Sequence, residues 1–105
     1  MAKNKISEWS SVAASNTDVG GINIGEGMLP ADVNNAMREM MAQIKDQQAG
    51  LDGDNFTVGG NLVVNGTSTF TGDIGLNNLT TTGNTTLGNA SSDTLTVNGS
   101  TASIP

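Results

Sequence analysis

The stretch that decides the fold is LPADVNNAMREMMAQIKD, residues 29–46. It predicts the one convincing helix of the chain, from Pro30 to about residue 46. Pro30 suits the first helical position because its φ is already helical and the N–H that it lacks would be unpaired there. Asp32 in the first turn and Lys45 in the last turn both complement the helix dipole.

The predicted helix is amphipathic. Val33, Met37, Met40 and Ile44 recur at spacings of four, three and four residues and form one apolar stripe, which Met41 and Ala36 widen. A helix of about sixteen residues is marginal alone in water, so the stripe must pack against something. Two partners are open: identical helices in a short coiled coil, or the N-terminal segment of the same chain.

The segment before the helix carries scattered apolar side chains. Ile22 and Ile24 alternate with polar or small residues and would share one face of a short strand. Trp9 is the only tryptophan. It is either buried against a partner or part of a local core under the helix.

Composition changes sharply after the turn-forming segment 50–55. From Phe56 to Pro105 there is no Lys, Arg, Glu, Met or Trp, and Thr, Asn and Gly dominate. Such residues favour strands and turns. We therefore divide the chain into residues 1–50 and residues 51–105.

The second half repeats. LVVNG at 62–66 returns as LTVNG at 95–99, with LTTTG at 79–83 between them, and Phe70, Leu87 and Ile104 follow one another at intervals of 17. A unit of 16–17 residues with two short strands is predicted, and repeats of this kind indicate stacked β-structure. The predicted turns lie at Gly66, Gly72, Gly83, Gly88 and Gly99.

The repeats hold few large apolar side chains, 13 in the 54 residues from Asp52 onward. One chain cannot offset the entropy of ordering such a segment with so little apolar burial. The predicted fold is therefore α+β and fibrous: an N-terminal segment with one amphipathic helix, for which a short trimeric coiled coil is one of the two open arrangements, followed by an intertwined trimeric β-shaft. The predicted trimer seam comprises Val33, Met37, Met40, Ile44, Leu62, Phe70, Leu79, Leu87 and Leu95.

Composition also argues against several functions. The net charge of −6, with four basic residues, disfavours nucleic-acid binding. No apolar run is long enough to insert into a membrane. The absence of cysteine and histidine removes thiol and imidazole catalysis and the usual zinc ligands. We predict no cofactor and no metal.

The carboxylates of the repeats do not form a predicted catalytic pair. Asp54, Asp73 and Asp93 are 19 and 20 residues apart, out of step with the repeat unit, and we interpret them as turn residues. The run at residues 52–55 resembles a calcium loop only in its first positions, so a turn is favoured there. The chain is predicted not to be an enzyme.

One set of residues in the first half forms a more specific pattern: Trp9, 13–16, 21–24, 26–27, Pro30 and 33–42. These residues resemble the N-terminal region of tail fibre proteins of tailed bacteriophages, and the repeats resemble the shafts of such fibres. The resemblance implies a homotrimer that is anchored in the tail and binds a host surface receptor through a distal part. Because no receptor-binding head follows Pro105, we expect these residues to be the anchored base of a longer fibre, or its ordered portion.

The resemblance also suggests which residues dock on the tail. Apolar contacts with an adaptor, nozzle or baseplate protein would come from Trp9, Ile22 and Ile24. Polar contacts that fix the relative position of the two proteins would come from Asn34 and Arg38. The alternative for Arg38, the only arginine, is a solvated helix face. The expected location is the tail of the virion, after synthesis in the host cytoplasm.

Two other functions share this architecture. A trimeric bacterial surface adhesin stalk would need an export signal, and no apolar run follows the lysines near the N-terminus. The non-catalytic base of a carbohydrate-degrading tailspike would precede a larger β-helix with acidic clusters. A largely disordered linker is the simplest alternative.

Overall fold

The predicted helix is confirmed in the computed structural model, which describes residues 2–100 and 103. A single 3-10 turn, Pro30–Asp32, leads into the α-helix α1, Val33–Gln48. Its end is set by Gly50, whose φ of 73° is costly for other residues. The Leu51 and Gly50 N–H groups donate to the carbonyls of Asp46 and Gln47, which is the Schellman arrangement. The helix therefore ends two residues later than predicted.

A β-hairpin precedes the helix. Strands β1, Asp18–Val19, and β2, Ile22–Asn23, pair antiparallel, with Val19 opposite Ile22. The two-residue turn between them is Gly20-Gly21, with φ values of 58° and 85°, which suits the twist of a hairpin. The Ile24 N–H donates to the Thr17 carbonyl and extends the pairing by one step. The predicted strand around Ile22 is thus present.

The core under the helix is small. Among the described residues, Val19 and Ala36 are the buried apolar side chains, and Gln43 is the buried polar one, each 2–3 % exposed. The hairpin and a 3-10 turn at Ile6–Glu8 pack against α1. The helix therefore lies on the N-terminal segment of its own chain, which was one of the two predicted partners.

The chain divides into two units, residues 1–63 and 64–105. The first unit continues beyond the predicted boundary at residue 50, because Asp54 is bonded to Lys5 and Ser7 near the N-terminus. Ile104, which ends the predicted series at intervals of 17, lies outside the described residues.

The repeats form bends rather than paired strands. Between residues 51 and 100 no strand is paired within the chain, and bends recur every five to six residues, ending at 60, 66, 72, 77 and 83. The predicted turns at Gly66, Gly72, Gly83 and Gly99 coincide with bends, and Gly88 has a φ of 82° just before another. Each unit of 16–17 residues therefore contains about three bends, whereas the sequence predicted two short strands. The bends that were not predicted lie at Gly60 and Asn77, residue types that are common in turns.

Candidate assembly surface

A buried glutamine joins the helix to the N-terminal segment. Gln43 accepts a hydrogen bond from Trp9 Nε1 at 2.9 Å and donates from Nε2 to the Lys3 carbonyl at 2.7 Å. Nε2 also lies 3.1 Å from Glu39 Oε1, so both donors and the acceptor of the amide are used. A buried amide with all its partners is stabilising, whereas leaving one unpaired is costly. Gln43 is therefore the polar anchor that holds this face of α1 against the first residues of the chain.

The hairpin turn approaches the same face closely. The Gly20 N–H donates to the Lys3 carbonyl at 2.7 Å. A Cβ at Gly20 would lie 2.5 Å from Glu39 Cγ, so any side chain there would force the turn or Glu39 to move. Gly20 is thus needed both for its positive φ and for the space that it leaves to Glu39.

The apolar residues predicted to dock on a tail protein lie largely within this local core. Trp9 and Ile24 line a cavity of about 130 Å³ together with Val19 and Met40. Ile22 is half-buried beside them in β2. All three side chains are half-buried in the first unit, where they pack around its small core. Their assignment to tail docking stays a prediction.

A second polar contact closes the first unit near residue 54. Lys5 Nζ lies 3.0 Å from Asp54 Oδ1, and the Ser7 hydroxyl donates to Asp54 Oδ2. The Ser7 hydrogen bond, followed by that of Lys5, lowers the pKa of Asp54 below its ordinary value, and the Asp54 hydrogen bond raises the pKa of Lys5. We call these three residues the Asp54 clamp. No local pattern predicted these contacts, because the paired residues are 47 and 49 positions apart in the sequence.

The segment 52–55 forms the turn that the sequence favoured over a calcium loop. The Asp54 N–H donates to Asp52 Oδ1 at 3.0 Å, and Gly53 has a φ of 76°. No group of three or more possible metal ligands is present in the described part of the chain. Likewise, no helix in residues 2–100 has the length and apolarity that a bilayer crossing requires.

The apolar stripe of the helix is not the face that the chain buries. Val33, Met37, Met41 and Ile44 form a row that is between 43 and 70 % exposed. Met40, at the edge of this row, is half-buried against Trp9. Ala36, predicted to widen the stripe, lies instead on the buried face with Gln43. We call the exposed row the apolar row.

The two faces follow from helical geometry. At about 100° per residue, Ala36 and Gln43 lie to one side of the apolar row, and Arg38 and Lys45 lie to the other. The helix therefore carries two adjacent contact faces, one used within the chain and one left open. Of the predicted polar docking residues, Asn34 and Arg38 are both exposed on the open side.

The apolar side chains of the repeats are exposed as well. The predicted seam residues in this region are all more than half exposed: Leu62, Phe70, Leu79, Leu87 and Leu95. Every described residue from 55 to 100 is exposed. Within the repeats one turn is held by a side chain: Asp93 Oδ2 accepts from the Asn89 and Ala90 N–H groups at 2.6 and 2.9 Å. This agrees with the interpretation of Asp93 as a turn residue.

Comparison of this chain with protein-family models, with curated proteins and with solved structures found no match.

Proposed function

We propose that this chain is a structural, non-enzymatic component of a bacteriophage virion: a homotrimeric tail fibre whose N-terminal region attaches to the tail. In this proposal the repeats form a shaft directed toward the host surface, where a distal part binds the receptor. The observation that carries the proposal is the exposure of apolar side chains along both halves of the chain. On α1 these side chains form one continuous row, and exposed apolar surface of that kind is typical of an interaction site.

The apolar row on α1 supports three-fold association. Val33, Met37, Met41 and Ile44 are spaced so that they follow one line along the helix. Packing of three such rows around an axis would remove them from water while each helix keeps its contact with its own N-terminal segment. The trimer seam is then centred on Met37 and Met41, with Met40 at its edge.

The bends in the repeats support a three-sided shaft. Several segments between bends carry apolar residues at alternate positions, as at Leu62 and Val64 or at Ile74 and Leu76, so these side chains share one face, and the other segments carry a single large apolar residue. Three bends per unit would carry each chain once around a common axis. The apolar face of every segment would then point inward, and Thr and Asn would point outward.

Backbone hydrogen bonding in the repeats is consistent with interchain pairing. Between residues 56 and 100 the backbone-to-backbone bond found is that from the Asp93 N–H to the Ala90 carbonyl. The other backbone groups in this range are open to neighbours, and ordered strands satisfy such groups by pairing. Two further copies of the same sequence are the partners with matching repeats.

Sedimentation equilibrium of the full chain tests the assembly. We expect a species of three times the chain mass of 10.7 kDa. The variant Met37→Asp with Met41→Asp should be monomeric, because three pairs of carboxylates would be brought together in an apolar seam. The control, Ala13→Asp with Ala14→Asp, adds the same charge at exposed residues outside α1 and should stay trimeric. A monomeric unmodified chain, or equal behaviour of the two variants, contradicts the seam.

The virion location has its own test. Mass spectrometry of gradient-purified particles of the phage that encodes the chain should detect its peptides in tailed particles and not in tailless heads. Recovery from neither fraction, or from a bacterial cell-surface fraction instead, would contradict a virion function and favour an adhesin.

A further inference from the structure

The two sides of the apolar row differ in charge. On one side the row is bordered by the face that packs on the N-terminal segment, which includes Ala36 and Gln43. On the other side it is bordered by Arg38 and Lys45, both exposed and seven residues apart. We call the surface formed by Arg38 and Lys45 the basic flank. It runs parallel to the apolar row along the helix.

The basic flank has no carboxylate partner on its own helix. The positions three and four residues from Arg38 and Lys45 hold only Asn, Met, Ala and Gln: Asn34, Asn35, Met41, Ala42, Gln48 and Ala49. These are the positions at which an intrahelical ion pair would form. Within the described residues the ion pair present is Lys5–Asp54, and Lys45 contacts only the neutral Gln48 side chain, at 2.8 Å. Both helix cations are therefore available to another molecule.

The other side of the row is bordered by negative charge. Gln47, next to the buried face, lines one cavity with Ser7 and Asp54. Glu8 follows Ser7 in the 3-10 turn that packs on α1, and Asp52 Oδ1 accepts from the Asp54 N–H. Three carboxylates and one ammonium group, that of Lys5, leave this surface net negative. We call the surface formed by Glu8, Asp52 and Asp54 the acidic flank.

A closed three-fold ring brings unlike flanks together. In a cyclic trimer every interface is heterologous, so one side of each copy meets the opposite side of the next. With the apolar rows at the axis, the basic flank of one chain faces the acidic flank of its neighbour. The two surfaces are complementary in charge, which favours this register and disfavours contacts between like flanks.

We propose that, in the trimer, Arg38 and Lys45 of each chain bind the acidic flank of the next chain, so that each helix packs on the N-terminal fold of its neighbour. This rests on the proposed trimeric function. It places Arg38 against a second copy of this chain rather than against a tail protein. In this trimer each helix contacts the first unit of the next chain, and these contacts form a ring around the apolar seam. The assembly is then more than a coiled coil of three helices.

The test compares two variants of equal net charge in the full chain. Arg38→Gln with Lys45→Gln removes two positive charges from the basic flank, and Ala13→Glu with Ala14→Glu adds two negative charges at exposed residues outside α1. Since a trimer contains six such contacts of modest strength, the first variant should lower the trimer association constant about 10- to 100-fold, and the control much less. Sedimentation equilibrium over a range of concentrations measures both constants.

Salt dependence and a double-mutant cycle test the partner surface. Raising ionic strength should weaken the unmodified trimer more than the Arg38→Gln, Lys45→Gln variant, because exposed charge pairs are screened. Glu8→Gln should weaken the unmodified trimer but have a smaller effect in that variant, since its partners are already absent.

The outcomes separate this inference from the proposed function. A trimeric unmodified chain whose two charge variants associate equally well would overturn the role of Arg38 and Lys45 and leave the trimer intact. Additive effects of Glu8→Gln and the basic-flank substitutions would likewise overturn the pairing. A monomeric unmodified chain would contradict both proposals together.

Discussion

The two halves of this chain hold their backbone by different means. In the first unit, contacts between residues far apart in sequence fix the structure: Trp9 with Gln43, and Lys5 with Asp54. In the repeats, the described contacts are local, such as the pair of threonine hydroxyls at Thr81 and Thr85, 2.9 Å apart. The difference shows that a sequence can specify regular turns without specifying what its strands pair with.

Burial explains why the halves differ. The first unit buries few apolar side chains, but the buried amide of Gln43 has all its hydrogen-bond partners. A charged hydrogen bond between Lys5 and Asp54 also joins the beginning of this unit to the segment after the helix. The repeats expose every described side chain from 55 to 100, so nothing within the chain offsets the entropy of ordering them. We infer that order in the first unit is intrinsic, whereas order in the repeats depends on assembly.

Separating the halves gives the largest expected effect. A fragment of residues 1–63 should retain the helical circular dichroism of α1, because all the long-range contacts described here lie inside it. A fragment of residues 64–105 should show a coil spectrum and no cooperative thermal transition, since it lacks the helix seam that would bring copies together. Cooperative melting of the second fragment would contradict the inference that order in the repeats depends on assembly.

Removing the buried amide gives an intermediate effect within the first unit. Gln43→Ala should lower the free energy of unfolding by about 2 kcal/mol, because Trp9 Nε1 and the Lys3 carbonyl lose their partner in a buried site. The matched control is Gln48→Ala, an exposed glutamine on the same helix, and it should change stability by less than about 0.5 kcal/mol. Urea unfolding followed by Trp9 fluorescence, at one protein concentration, measures both. Equal effects would show that the first unit does not depend on its anchor.

The Asp54 clamp gives the smallest effect, visible as a pH dependence. A carboxylate with a lowered pKa stabilises the fold at neutral pH, and its contribution is lost as pH falls below the ordinary value of 3.8. Lys5, with a raised pKa, contributes below its ordinary value of 10.5 and loses its effect as pH rises past the raised one. The clamp should therefore be intact from about pH 4 to pH 10.

Nuclear magnetic resonance can follow this clamp. The Ile6 methyl shifts should move with pH below 4 in the unmodified chain and lose that dependence in Asp54→Asn. Asp46→Asn, at an exposed carboxylate on α1, should keep it. An unchanged acid profile in Asp54→Asn would show that another group holds residues 5–7 in place.

Several features followed from sequence because their causes are local. Pro30 and Gly50 mark the two ends of the helical segment through backbone preferences that belong to single residues. Most bends in the repeats follow in the same way, whereas of the hairpin the sequence predicted only the strand at Ile22. The spacing of Val33, Met37 and Ile44 correctly indicated that these residues share one side of the helix.

The tertiary structure alone decided which side of the helix the chain buries. By sequence, Gln43 belongs to the polar positions, yet it is buried, while Met41 is exposed. The reason is that burial depends on what arrives at each face: Trp9 and the Lys3 carbonyl come from segments 34 and 40 residues away and pair with an amide, not with a thioether. The periodicity of apolar residues shows which face of a helix is apolar, but it does not show which distant segments pack on that helix. Only the tertiary structure could therefore show which face is buried within the chain and which is exposed.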